Sequence, residues 1–132
     1  EQRALLVADS DLETAIIYAR HAVSIELHSY PLTTLGKVLL MQMEVDPAKR
    51  EEAYNEAINH LKNAIEREYK YSRVTIHPYS ILLAGTAKYI ELGARLTSQQ
   101  EKVVGPLLAE AKFRFRGDML FENLISRLEP LL

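Results

Sequence analysis

YPLTTLGKVLLMQM, residues 30–43, decides how this chain is read: it has the look of a helix throughout, yet Gly36 stands in the middle of its apolar run. Glycine in a helix interior costs about 1 kcal/mol relative to alanine, so its presence points to a neighbour that approaches the backbone closely. A second stretch, YSILLAGTAKYIELG at 79–93, sets Gly85 in the same surroundings. Neither stretch leaves a fully polar face, which predicts helices over 31–45 and 79–95 that are covered on more than one side.

Working outward, three helix starts carry explicit cap chemistry. Ser10 with Glu13 and Thr97 with Gln100 have the spacing of a capping box, and Asp46 before Pro47 offers a carboxylate and a preset φ. The first start opens a helix over about 11–26 with Leu12, Ala15, Ile16, Ala19, Ala22 and Val23 on one face and Glu13, Arg20 and Ser24 outside. From Pro47 to about Lys70, Tyr54, Ile58, Leu61 and Ile65 form one row and Ala53, Ala57 and Ala64 a small-residue row beside it. The stretch 98–116 is helical by pattern, but Pro106 is expected to kink it or split it at Gly105. Gly117 and Asp118 separate it from a last amphipathic helix carrying Leu120, Phe121, Leu124, Ile125 and Leu128, which ends near Pro130 and reads as a cap. YSRVTIHPY at 71–79 reads as a connector, since an isolated strand has nothing to pair with. The class is all-α.

Composition bounds function. The 132 residues, 48% hydrophobic and 26% charged, suit one soluble domain over 1–132 with a real core. A net charge of −2 gives no field that would gather nucleic acid or an anionic membrane. No run is long and apolar enough to span a bilayer, and the start EQRALLVADSD has no leader pattern. Without cysteine there are no disulfides, thiolate metal sites or cysteine nucleophiles, which fits a reducing, cytoplasmic setting. The missing initiator Met suggests a piece of something longer.

No motif carries catalysis. Glu52, Glu56 and His60 share one side of the long helix, but no partner helix offers a matching His or Glu pair, so they read as a solvated face and no metal is expected. His21 and His28 flank the end of the first helix, where a cation favours the dipole. There is no Gly-flanked serine elbow and no phosphate-cradling loop, so neither an enzyme nor a cofactor is expected. KFRFRGD at 112–118 is the sharpest basic–aromatic feature. Lys112, Arg114 and Arg116 could contact single-stranded nucleic acid, although basic residues before Gly117 also complement a helix C-terminus.

The helices alternate between less polar and amphipathic. AIIYARHAVSIE from Ala15 and AINHLKNAIERE from Ala57 share small or medium residues at Ala15, Ala19, Ala22 and at Ala57, Leu61, Ala64. With the Leu35–Gly36 pair and the weaker Ala84–Gly85, the chain resembles the tetratricopeptide repeat (TPR), whose first helix carries Leu-Gly and whose second carries Ala, a larger residue and Ala. The resemblance implies a TPR-like α-solenoid of antiparallel helix pairs, six to seven helices with a C-terminal cap. In that family the glycine lies where the second helix crosses the first. The glycines here stand 49 residues apart against a standard repeat of 34. The expected aromatic is Leu32 in one unit and Ile81 in the other, and the proline after the second helix is absent, so the array is degenerate. It is similar to the repeats that end some large bacterial multidomain signalling and defence proteins of the STAND NTPase type.

The resemblance also implies a groove lined by the first helices. Carried over from the two glycines, it selects Tyr30, Thr33, Lys37, Leu40 and Met41 in one unit and Tyr79, Leu82, Thr86, Tyr89 and Ile90 in the next. The expected partner is a protein or peptide, or a neighbouring domain of the parent chain; nucleic acid is disfavoured and no membrane is expected.

Overall fold

The computed structural model describes residues 11–25 and 28–132. Six α-helices pack against one another, with no strand among the described residues: α1 (Leu12–Ile25), α2 (Ser29–Val45), α3 (Arg50–Lys70), α4 (His77–Glu91), α5 (Ser98–Arg114) and α6 (Met119–Leu128). Helix α2 packs on α1, α3 and α4, while α4 packs on α2, α3, α5 and α6. Being touched from several sides, α2 buries ten of its 17 residues, whereas α3 buries seven of 21 along the single stripe expected from its alanine and Tyr54–Ile65 rows.

Local chemistry sets the boundaries. Ser10 lies outside the described residues; α1 is capped instead by Asp11, whose carboxylate accepts from the Thr14 N–H at 3.1 Å and from its hydroxyl. Asp46 accepts from the Ala48 N–H and caps a 3-10 turn, Pro47–Lys49, so the long helix begins at Arg50, three residues later than the Pro47 start expected. The capping box at Thr97 and Gln100 is present with both bonds. Helix α5 is not split at Gly105. Pro106 and Gly105 are both exposed, so water can take the carbonyl that the missing N–H leaves open, and Gly105 has no Cβ to clash with the proline ring.

Helix α3 ends in a left-handed residue, Ser72 (φ 56°), with the Arg73 N–H returning to the Glu68 carbonyl at 2.9 Å. The Glu68 carboxylate then ties down the connector: it accepts from the Thr75 N–H at 2.8 Å and from the Ser29 hydroxyl of α2 at 2.6 Å. The break expected at Gly117 and Asp118 is present: Gly117 (φ 91°) makes the turn, and Asp118 in addition caps α6 by accepting from the Phe121 N–H at 2.9 Å.

The two helical glycines both mark close approaches, but not of the same kind. A Cβ on Gly36 would lie 2.6 Å from Leu61 Cγ of α3, the helix that follows it. A Cβ on Gly85 would lie 2.5 Å from Leu40 Cδ1 of α2, not against α5. The expectation that each glycine meets the helix that follows it therefore holds for Gly36 and fails for Gly85, which meets α2 instead.

Candidate functional site

That difference decides which residues face outward. Of the first set, Tyr30 is 53% exposed, Lys37 is exposed and Met41 half-buried, while Leu40 and Thr33 are buried. Among the described residues the Thr33 hydroxyl has no hydrogen-bond partner. Of the second set, Tyr79, Leu82, Thr86 and Tyr89 are all buried and Ile90 is half-buried. These four line the core rather than an open groove. Tyr89 stacks on Tyr54 of α3 at 4.0 Å, and the Tyr54 hydroxyl meets Thr86 Oγ1 at 2.7 Å, which in turn donates to the Leu82 carbonyl. Burial pushes the Tyr54 phenol well above its ordinary value and that of Tyr79 upward too. The physical reason is the Gly85 contact. Because Gly85 faces α2, aligning it with Gly36 turns α4 by one position, about 100°.

The face that α4 turns outward is Ile81, Ala84 and Lys88, with Gly85 buried beside them under Leu40 of α2. With Lys37, Leu40 and Met41 of α2 it encloses an open groove of about 380 Å³, which Arg127 of α6 also lines. Leu40, lying across Gly85, forms part of the floor, and half-buried Met41, Ile81 and Ala84 form apolar walls. Most rim charges are paired. Lys88 Nζ is 3.9 Å from Glu44 Oε1, and Arg127 holds Glu91 through two bonds of 2.6 and 3.0 Å, which keeps the Glu91 carboxyl below its ordinary pKa. Ile81, Ala84, Lys88 and Arg127 were missed by reading the sequence. The i, i+3, i+7 spacing of Ile81, Ala84 and Lys88 on α4 is visible there, but which neighbour Gly85 meets is not.

The basic segment is dispersed. Lys112 pairs with Glu129 at 2.6 Å, the Arg114 guanidinium lies 5.0 Å above the Tyr69 ring, and Arg116 lies 5.9 Å from the Phe113 ring, itself 77% exposed. His28 is not at the end of α1 but at the N-cap position of α2, its ring 6.4 Å from Tyr71.

Glu56 is more than a solvated carboxylate. Arg20, which the pattern leaves outside α1, reaches across to hold it through both terminal guanidinium nitrogens, Nη1 and Nη2, and His60 Nε2 adds a contact at 3.3 Å. The Arg20 hydrogen bonds, more than His60, hold the Glu56 carboxyl below the usual range. This is a clamp between α1 and α3. Among the described residues no group of three or more His, Cys, Asp or Glu side chains could hold a metal, and no helix is long and apolar enough to cross a membrane.

Comparison with protein-family models, curated proteins and solved structures found no match to this chain.

Proposed function

We propose that this chain is a protein-binding module of TPR type, with α2–α3 and α4–α5 as two degenerate helix pairs, α6 as the cap, and the ligand lying on the face made by α2, α4 and α6. The observation that carries this reading is the groove itself: an open channel with an apolar floor and walls and a mostly neutralised rim, on the side where first helices meet. Apolar walls of Met and Ile supply adaptable contact area, and paired rim charges confer orientation without a large desolvation cost. The ligand is a protein segment, from a partner or from a neighbouring domain of the parent chain, and the setting is cytoplasmic. The sequence resemblance supports the reading through Leu35–Gly36 and the alanine row that Gly36 meets.

A photo-crosslinking amino acid at Met41 or Ala84, compared with one at Asn63 on α3 outside the groove, tests it in cells. Expected are adducts from the two groove positions that vanish when Ile81→Lys is added, with the helical circular dichroism unchanged. Adducts from position 63 alone would place recognition on the other side. A second reading, single-stranded nucleic acid on the 112–116 segment, is favoured by the exposed Phe113 ring alone, because Lys112 is neutralised by Glu129 and Arg114 is spent on Tyr69.

A further inference from the structure

A second cleft, on the other helices, has the makings of a site of a different kind. Asn55, Asn59, Thr97 and Gln99 line a space of about 620 Å³ between α3 and α5, over Ile58 and Val103. The volume falls in the range that holds ligands, about 300–1,000 Å³. Among the described residues no charged side chain lines it, and α5 carries Glu101 in its first turn. A neutral polar lining selects a neutral polar group.

The hydrogen bonds fix which atoms are on offer. The Thr97 N–H donates at 2.8 Å to Gln100 Oε1, because a backbone N–H can only donate. That sets the Gln100 amide, which is 2% exposed, so that its Nε2 donates at 2.7 Å to Asn55 Oδ1. That bond orients the Asn55 amide, with its oxygen toward Gln100 and its Nδ2 as the donor for other partners. Asn59, exposed and one turn further along α3, presents both a donor and an acceptor. The two asparagines are about 6 Å apart along the helix, close to the roughly 6.7 Å between alternate residues of an extended chain.

We infer that this cleft binds the backbone of an extended, uncharged peptide segment of a partner chain, with Asn55 donating to one peptide carbonyl and Asn59 pairing with the next amide on the same side. The inference stands apart from the α2–α4–α6 groove, and either can fail alone.

The test uses acetyl-diglycine N-methylamide, a peptide backbone without side chains, titrated into the ¹⁵N-labelled chain while the side-chain carboxamide signals are followed. Saturating shifts are expected at Asn55, Asn59 and Gln99 and none at exposed Asn123 on α6. Asn55→Asp keeps the acceptor that Gln100 needs but removes the donor, so affinity should fall about fivefold or more, the value of one hydrogen bond, with the Gln100 signals and the melting midpoint held. Asn59→Ala, on an exposed position, should weaken binding similarly and guards against a folding defect in the first variant. Shifts that are linear and shared by Asn123, affinity unchanged in both variants, or shifts produced by sodium phosphate but not by the peptide would each overturn the inference, the last in favour of an anion at the α5 N-terminus.

Discussion

At the scale of single residues, Gly36 and Gly85 show how one residue type can mark two different contacts. Leu61 is fully buried between Ala57 and Ala64, so a methyl at position 36 meets the branch point of a side chain that has nowhere to go. Gly36→Ala should therefore lower stability by about 1–2 kcal/mol, overpacking outweighing the roughly 1 kcal/mol gain in helix propensity. In a Leu61→Ala background the same substitution should change sign and stabilise, and urea unfolding of the four proteins in this cycle measures it. A destabilising effect of equal size in both backgrounds would mean that Leu61 is not the obstacle. Leu40 borders the open groove, so Gly85→Ala has room to be accommodated by rotating that leucine outward and should cost less than Gly36→Ala.

Among the elements, α5 departs furthest from local expectation. Its interior proline removes one helical hydrogen bond, yet the helix runs unbroken from Ser98 to Arg114 because Gly105 and Pro106 lie on the solvent side. Helix α5 is also held by its capping box at one end and by packing on α3 and α4 along its length. Pro106→Ala restores the missing donor at an exposed position and should raise stability by about 1–3 kcal/mol, read as a higher thermal midpoint. No gain would show that the α5 backbone at 102–106 is already strain-free with proline in place. Pattern reading located all six helices, since each has a 3.6-residue apolar stripe or a cap, but it could not judge Pro106. Solvent exposure settles that case.

For the molecule as a whole, side-chain bridges join segments distant in the chain, in one case helices that do not otherwise pack, α1 and α3. Arg20 and Glu56 tie α1 to α3, and Arg127 and Glu91 tie α6 to α4. Glu56 titrates below its unfolded value of about 4.3, so its contribution is fully present above that pH and is lost as pH falls through the lower folded value. Glu56→Gln should thus cost less than about 1 kcal/mol at neutral pH, being partly exposed and screened, and the difference from the parent should shrink as pH falls through the lowered folded value. Denaturation at pH 7, 4 and 2.5 checks this; a difference that persists undiminished at the lowest pH would assign the effect to packing.

Sequence pattern was enough for the all-α class, the places of the helices, the capping box at Thr97, the turn at Gly117 and the buried rows of α3, because these follow from period, backbone freedom and the reach of a side chain to its own helix. It also marked Gly36 and Gly85 as close approaches, since only a neighbour explains a glycine in an apolar helix. Tertiary structure alone decided which helix each glycine meets, and with it the rotation of α4 that buries Tyr79, Leu82, Thr86 and Tyr89 and turns Ile81, Ala84 and Lys88 to the groove. It decided equally that Gln100 reaches Asn55 and that Arg20 reaches Glu56. Periodicity fixes which residues share a face of a helix; which face is covered depends on partners distant in the chain, and no local pattern encodes them.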